Sequence, residues 1–239
     1  MVLRGVASPS SPWSLPRRAL VIGVLGVVAM AAVLVLNLAD RAGAGAAERC
    51  SRFTADSADR ADQVAGRGRR IVVIGDSWSV GLGLERPEGS WPSRLSGAVR
   101  VAGFSGSGFS AHASTCGPVS FADRATAALR GGADLVVIEG GLNDVDQTDA
   151  EIQAGFVSLA RSLEGERVLV VGPASAPARG AAVSRVDALL AKLAVRHHFS
   201  YLRTTGLALP YLDDRLHLTQ AGHQQFGDFV AAQIAARAL

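Results

Sequence analysis

From Ile71 to the end of the chain, short apolar runs alternate with segments whose apolar residues recur at helical spacing. This alternation limits the fold more than any other feature. The run Ile71-Val72-Val73-Ile74 is wholly β-branched and reads as a strand buried on both faces. Further strands are expected over Val99–Phe104, Asp134–Glu139, Arg167–Val171 and Phe199–Leu202. Between them, Trp78–Leu84 and the segment after Ser90 can start helices, Pro92 being tolerated in a first turn. Val119–Leu129 can also be helical. Ile152, Phe156, Leu159 and Leu163 mark one apolar helix face, and Val183, Val186, Leu190 and Leu193 mark another. A last helix, from about Ala221 to Ala236, carries Phe226, Phe229, Val230 and Ile234. Strands alternating with helices of this length imply right-handed crossovers and a parallel sheet covered on both sides, an α/β class.

The folded domain starts late. Arg17-Arg18 precede an eighteen-residue apolar run, Ala19–Leu36, closed by Asn37 and Leu38. That is about the minimum length for a bilayer span and exceeds the roughly 7–15 residues of a signal-peptide core. Arginines on the N-terminal side keep that end in the cytoplasm and send the bulk of the chain across the membrane. Residues 1–18 thus read as a cytoplasmic tail and 19–38 as a transmembrane signal anchor. Residues 39–70 read as a linker with a frayed helix through Asp56–Val64, and 71–239 as the exported domain. The alternative is a signal peptide cleaved within Arg41–Ala46, which would make the protein secreted. Three of the 24 basic residues, Arg4, Arg17 and Arg18, precede Asp40, so the remainder balances its 21 acidic residues. A near-neutral domain offers no basic footprint for nucleic acid. Cys50 and Cys116 fit an oxidising setting, though sequence does not fix their pairing. Neither has a second Cys or His at ligand spacing, so no metal is expected.

In parallel sheets, reactive residues gather at the carboxyl ends of the strands. Here Gly75-Asp76-Ser77 follows the first strand, the Gly-rich turn Gly103–Gly108 the second, and Gly141-Leu142-Asn143-Asp144 the third. Asp214-Arg215-Leu216-His217 comes in the loop before the last helix. Each stretch alone is an ordinary turn or cap; four converging on one edge are not. A serine hydroxyl needs a base to take its proton, and His217 is the candidate for Ser77. Asp214, three residues earlier, can reach the other imidazole nitrogen, with Asp213 as the alternative carboxylate. Attack on an ester carbonyl creates an oxyanion, for which the N–H of Ser77, the N–H of Gly106 and the amide of Asn143 are the candidate donors. Other layouts fit worse. The chain contains no G-x-S-x-G, and its one lysine, Lys192, sits in a helical stripe. Gly106–Ala111 matches G-x-G-x-x-A, but it follows the second strand, and Cys116-Gly117-Pro118 interrupts the helix a dinucleotide site requires.

Together the blocks Gly75-Asp76-Ser77, Phe104-Ser105-Gly106, Gly141–Asp144 and Asp214–His217 resemble those of the SGNH/GDSL hydrolase family, in the same order. Trp91-Pro92 and the stretch His217–His223 agree with it, whereas Val101 stands where many members carry Asn. The likeness covers Ile71–Leu239. It implies a flavodoxin-like three-layer sandwich with a five-stranded parallel sheet, no metal or other cofactor, and hydrolysis of acyl esters through an acyl-serine intermediate. With export, the expected substrates are carbohydrate O-acyl groups of the cell envelope or lipid and small esters, met by a monomer whose membrane contact is its N-terminal helix. An acyltransferase using the same serine and a non-catalytic glycan-binding module are the competing functions.

Overall fold

The strand read from Ile71–Ile74 occupies the centre of a mixed sheet, in which all four residues are at most 2% exposed. The computed structural model describes residues 43–239 and the single positions 31 and 35. The apolar run of residues 19–38 read as a membrane span therefore lies, save those two positions, outside the described residues. Among the described residues, no helix is long and apolar enough to cross a membrane. Cys50–Leu239 forms one folded unit.

The described residues open with a helix over residues 43–61 (α1), of which 50–61 belong to that unit. There follow β1 (Val64–Ala65), β2 (Arg70–Gly75), α2 (Ser77–Val80), β3 (Ala98–Gly103) and α3 (Phe121–Ala128). The chain continues with β4 (Leu135–Glu139), α4 (Asp149–Ser162), β5 (Val168–Val171), α5 (Ala182–Arg196), β6 (Ser200–Leu202) and α6 (Gln220–Ala236). The sheet order is β1-β3-β2-β4-β5-β6, with every pair parallel except β1–β3. The five parallel strands follow the flavodoxin-like order, in which the chain switches sides at its first parallel strand. The sheet thus has six strands rather than the five expected. The extra one is two exposed residues long, too short to leave a periodic signal.

Helix ends follow local chemistry. Ser120 with Asp123 and Thr148 with Glu151 form capping boxes for α3 and α4, and Thr219 caps α6. Ile152, Phe156 and Leu159 of α4 and Val183, Val186, Leu190 and Leu193 of α5 are buried as their spacing requires. Helices α3, α4 and α5 pack in sequence into one layer. The second layer is α6 on the 3-10 turn Trp91–Arg94, with Phe226 edge-on to Trp78 and Trp91. Two expected helices are shorter than the sequence suggested. The first stops after one turn at Gly81, which adopts φ 94 where an added Cβ would lie 2.6 Å from the Pro87 carbonyl oxygen. After Ser90 the chain makes only a 3-10 turn, because the Ser90 hydroxyl donates to the Ser79 carbonyl (2.9 Å) instead of capping a helix.

Composition marks residues 39–70 as linker, yet α1 is held against the domain at three points. The Ser57 hydroxyl donates to the Gly103 carbonyl (2.6 Å), Phe53 lies edge-on to Phe104 at 6.3 Å, and Cys50 is disulfide-bonded to Cys116. The bond joins residues 66 positions apart, and closing a loop of that length in the unfolded chain stabilises the native state by up to about 4 kcal/mol. Reduction is therefore expected to lower the urea midpoint, and with it the extrapolated unfolding free energy by an amount of that order, measured with and without dithiothreitol. An unchanged midpoint would show that the tie carries no stability.

Candidate active site

Register brings the candidate residues to one edge. Gly75, the last residue of β2, pairs with Gly103 of β3 on one side and with Glu139 of β4 on the other. Ser77, Gly106 and Asn143 therefore leave the sheet side by side, a few residues beyond these level ends. Asp76 caps α2 by accepting from the Trp78 N–H (2.9 Å), which places Ser77 as the first residue of a one-turn helix, 6% exposed.

The loop before α6 supplies the partner. Tyr211 bridges Leu218, and the Leu212 N–H donates to the His217 carbonyl (2.8 Å), so residues 211–218 fold back as a tight turn. Within it the Asp214 Oδ1 accepts from the backbone N–H groups of Leu216 and His217, both at 2.9 Å. The other carboxylate oxygen lies 2.6 Å from His217 Nδ1, and His217 Nε2 lies 3.0 Å from Ser77 Oγ. Burial acts to raise the Asp214 carboxyl, but hydrogen bonds from the His217 side chain and from these two amides outweigh it and hold it below the usual range. Asp214, not Asp213, is thus the carboxylate brought to the imidazole. Trp78 Nε1 donates to the Leu216 carbonyl (3.1 Å), tying the serine helix directly to the histidine turn.

Gly106, at φ 81, takes a backbone conformation that L side chains rarely adopt. Neither its N–H nor that of Ser77 donates to an acceptor among the described residues. Asn143 differs from the sequence expectation in one respect. Its Nδ2 already donates to the Ser107 carbonyl (2.9 Å) and, more weakly, to Asp76 Oδ2 (3.3 Å). The amide ties the Gly-rich turn to the serine turn, and donating to a substrate oxygen requires exchanging the longer bond.

Beneath this edge lies a buried polar layer that sequence spacing did not reveal. Glu139 Oε2 accepts from the Ser79 hydroxyl (2.6 Å) and Trp91 Nε1 (3.3 Å). Burial, aided by the nearby Asp76 carboxylate, drives the Glu139 pKa well up. Burial likewise raises Asp76 to about 6, against hydrogen bonding from Trp78 and the charge of His217. Asp144 receives the N–H groups of Phe109 (3.0 Å) and Ser110 (2.8 Å), and burial lifts it to about 6. Arg124 donates to the Gly75 carbonyl (3.1 Å), the Ser107 hydroxyl (2.8 Å) and the Ala102 carbonyl, and burial lowers its pKa to about 10. His223, near the site in sequence, is pushed down to about 4 by burial and accepts from the Trp91 N–H at 3.3 Å, a neutral structural contact. The sequence offered a signal for Asp144, inside Gly141–Asp144, but none for Arg124 or Glu139.

The chain matches the GDSL-like Lipase/Acylhydrolase family over residues 73–225. Among solved structures it is similar to a carbohydrate acetylesterase, Est24, from Sinorhizobium meliloti, with 21% identity over 71% of this chain and 100% of that one, TM-score 0.58. It is also similar to a putative arylesterase from Agrobacterium tumefaciens, with 24% identity over 71% and 99% of the two chains, TM-score 0.58. For the aryl esterase of M. smegmatis the figures are 21%, 71%, 99% and 0.54. At these identities the likeness establishes the fold. No curated protein matches the chain.

Asp144 gives the buried layer a measurable signature. Its folded-state pKa of about 6 lies above that of the unfolded chain, so the folded protein binds this proton more tightly. The resulting stability is full at acid pH and is lost as pH rises from about 4 to about 6. The fall in Tm between about pH 4.5 and 6.5 is therefore expected to be smaller in Asp144→Asn than in the wild type. Equal slopes in differential scanning calorimetry would mean that the carboxyl titrates normally.

Proposed function

The chain belongs to the GDSL-like Lipase/Acylhydrolase family, and from that premise we propose that it is an exported serine hydrolase of acyl esters. The observation that carries this reading is the continuous contact from the Asp214 carboxylate through His217 to Ser77 Oγ, at 2.6 and 3.0 Å. In the proposed reaction His217 Nε2 takes the proton as Ser77 Oγ bonds to the ester carbonyl carbon. The imidazolium is stabilised by Asp214, and the oxyanion by the N–H groups of Ser77 and Gly106. Collapse returns the proton to the departing alcohol and leaves an acyl-serine. Water, deprotonated by the same nitrogen, then releases the acid and regenerates Ser77.

Asn143 enters this scheme as a third donor once its 3.3 Å bond to Asp76 is exchanged for one to the substrate oxygen. Its shorter bond to Ser107 remains and fixes the amide plane. Export is supported by Arg17-Arg18 before the apolar run and by the Cys50–Cys116 pair, which suits an oxidising compartment. The ester class is supported by the family and by the named activities of similar structures, one a carbohydrate acetylesterase and one an aryl esterase.

The test is covalent. A fluorophosphonate should label the full chain at Ser77, and Ser77→Ala should remove both the label and, by roughly 10⁴-fold or more, turnover of 4-nitrophenyl acetate. A non-catalytic binding module would take no label. Asn143→Ala should lower kcat by about 10²–10³ with KM little changed if the amide donates in the transition state. A loss below about tenfold would assign Asn143 to loop support alone.

A further inference from the structure

Arg60, near the end of α1, is 3% exposed, yet among the described residues no carboxylate forms an ion pair with it, Glu88 acting on it only as a more distant charge. Its Nη1 donates to Gln63 Oε1 at 3.3 Å, and its buried Nε has no acceptor. Taking a guanidinium out of water with one of its donors unpaired is costly. The side chain lines a cavity of about 370 Å³, within the range of small-molecule sites. Asp56, Asp59 and Gln63 of α1 and the following turn share the lining with Arg60, facing Val80–Leu84 and Pro87.

The cavity has one wall in common with the candidate active site. The N–H groups of Gly81 and Leu82 donate to the Ser77 carbonyl at 2.9 and 3.0 Å. Gly83 lies against Leu212, whose N–H donates to the His217 carbonyl. The segment 80–84 therefore borders both the serine and histidine turns and the space around Arg60.

Charge decides what the cavity accepts. An anion would meet two carboxylates, Asp56 and Asp59, for one guanidinium, and a cation would meet the guanidinium itself. A neutral polyol avoids both conflicts. Its oxygens accept from the guanidinium, its hydroxyls donate to the carboxylates and to Gln63, and its C–H face matches Val80, Leu82, Leu84 and Pro87. We propose that this cavity is a subsite for a neutral saccharide, with Arg60 as the residue that sets its specificity. The proposal rests on the esterase reading only in taking that saccharide to be the alcohol part of the substrate. The α1 part of the lining precedes residue 73, where the family match begins, and the facing segment lies within it.

The experiment is calorimetric titration of the full chain with unesterified tetrasaccharides. The neutral panel is cello-, malto-, chito- and mannotetraose, with tetragalacturonate as the charged counterpart. At least one neutral member should bind saturably below about 10 mM, and more tightly than tetragalacturonate. Arg60→Gln should weaken it about tenfold or more. Leu82→Trp, which fills the cavity from the opposite wall, should do the same and covers the case in which Arg60→Gln fails to fold. The proposal is overturned if no neutral tetrasaccharide binds, if tetragalacturonate binds more tightly, or if both variants bind like the wild type. Binding of an unesterified saccharide needs no nucleophile, so this result stands apart from whether ester turnover is found.

Discussion

Three strand ends brought level by parallel pairing are the constraint from which the site follows. Gly75, Gly103 and Glu139 are register partners across β3, β2 and β4, and β2 is the strand at which the chain changes sides. Segments leaving neighbouring strands in opposite directions open a crevice between them, and Ser77 stands at its floor. The helix that carries Ser77 must then turn back tightly over its own strand. At Gly75 an added Cβ would fall 2.0 Å from Ser79 Oγ and 2.9 Å from Glu139 Oε2, so any side chain would push the serine turn off the sheet. Geometry at a single glycine thus sets the height of the nucleophile above the sheet edge.

The loops around that serine are positioned by buried charge more than by apolar packing. Asp144 draws in the Phe109 and Ser110 amides, Arg124 spans the ends of β2 and β3, and Glu139 joins Ser79 to Trp91. Burying such groups is unfavourable, as the raised carboxyl pKa values of Asp76, Glu139 and Asp144 record. The return is directional. A carboxylate accepting two successive backbone N–H groups fixes the direction of a turn, which a hydrophobic contact does not. Donors meant for a developing oxyanion need that precision, because their value depends on being in place before charge appears.

Most of the parallel core was legible because its causes are local. β-branched runs and helical stripes act within a few positions of one another. The ordered blocks ending in Ser77, Asn143 and His217 were legible for a different reason, since topology sends all of them to one edge. What escaped was non-local or small. Arg124 looks like any helix-surface arginine until β2 and β3 are placed beneath it, and Glu139 looks like the end of a strand. The bond from Asn143 to Asp76 spans 67 positions and depends on the register of β2 against β4. Strand β1 is too short to show a period, and α1 is too rich in Ala, Ser and Asp to show an apolar face, so that only a frayed helix through Asp56–Val64 was read there.

Helix α1 shows how a thinly held element can still shape a site. Apart from the disulfide, its contacts with the rest of the domain include one hydroxyl donating to Gly103 and one aromatic edge on Phe104. Most helical stability in proteins comes from tertiary packing rather than propensity, so these ties decide how firmly it is held. The Cys50–Cys116 bond pins it at Cys50, Phe53 then sits 4.0 Å from where a Cβ on Gly106 would be, and Arg60 follows two turns later against the segment after α2. One covalent anchor therefore orients a wall that runs from the candidate oxyanion donors to the cavity. Such an anchor persists only in an oxidising compartment, which makes the shape of this wall depend on where the domain is delivered.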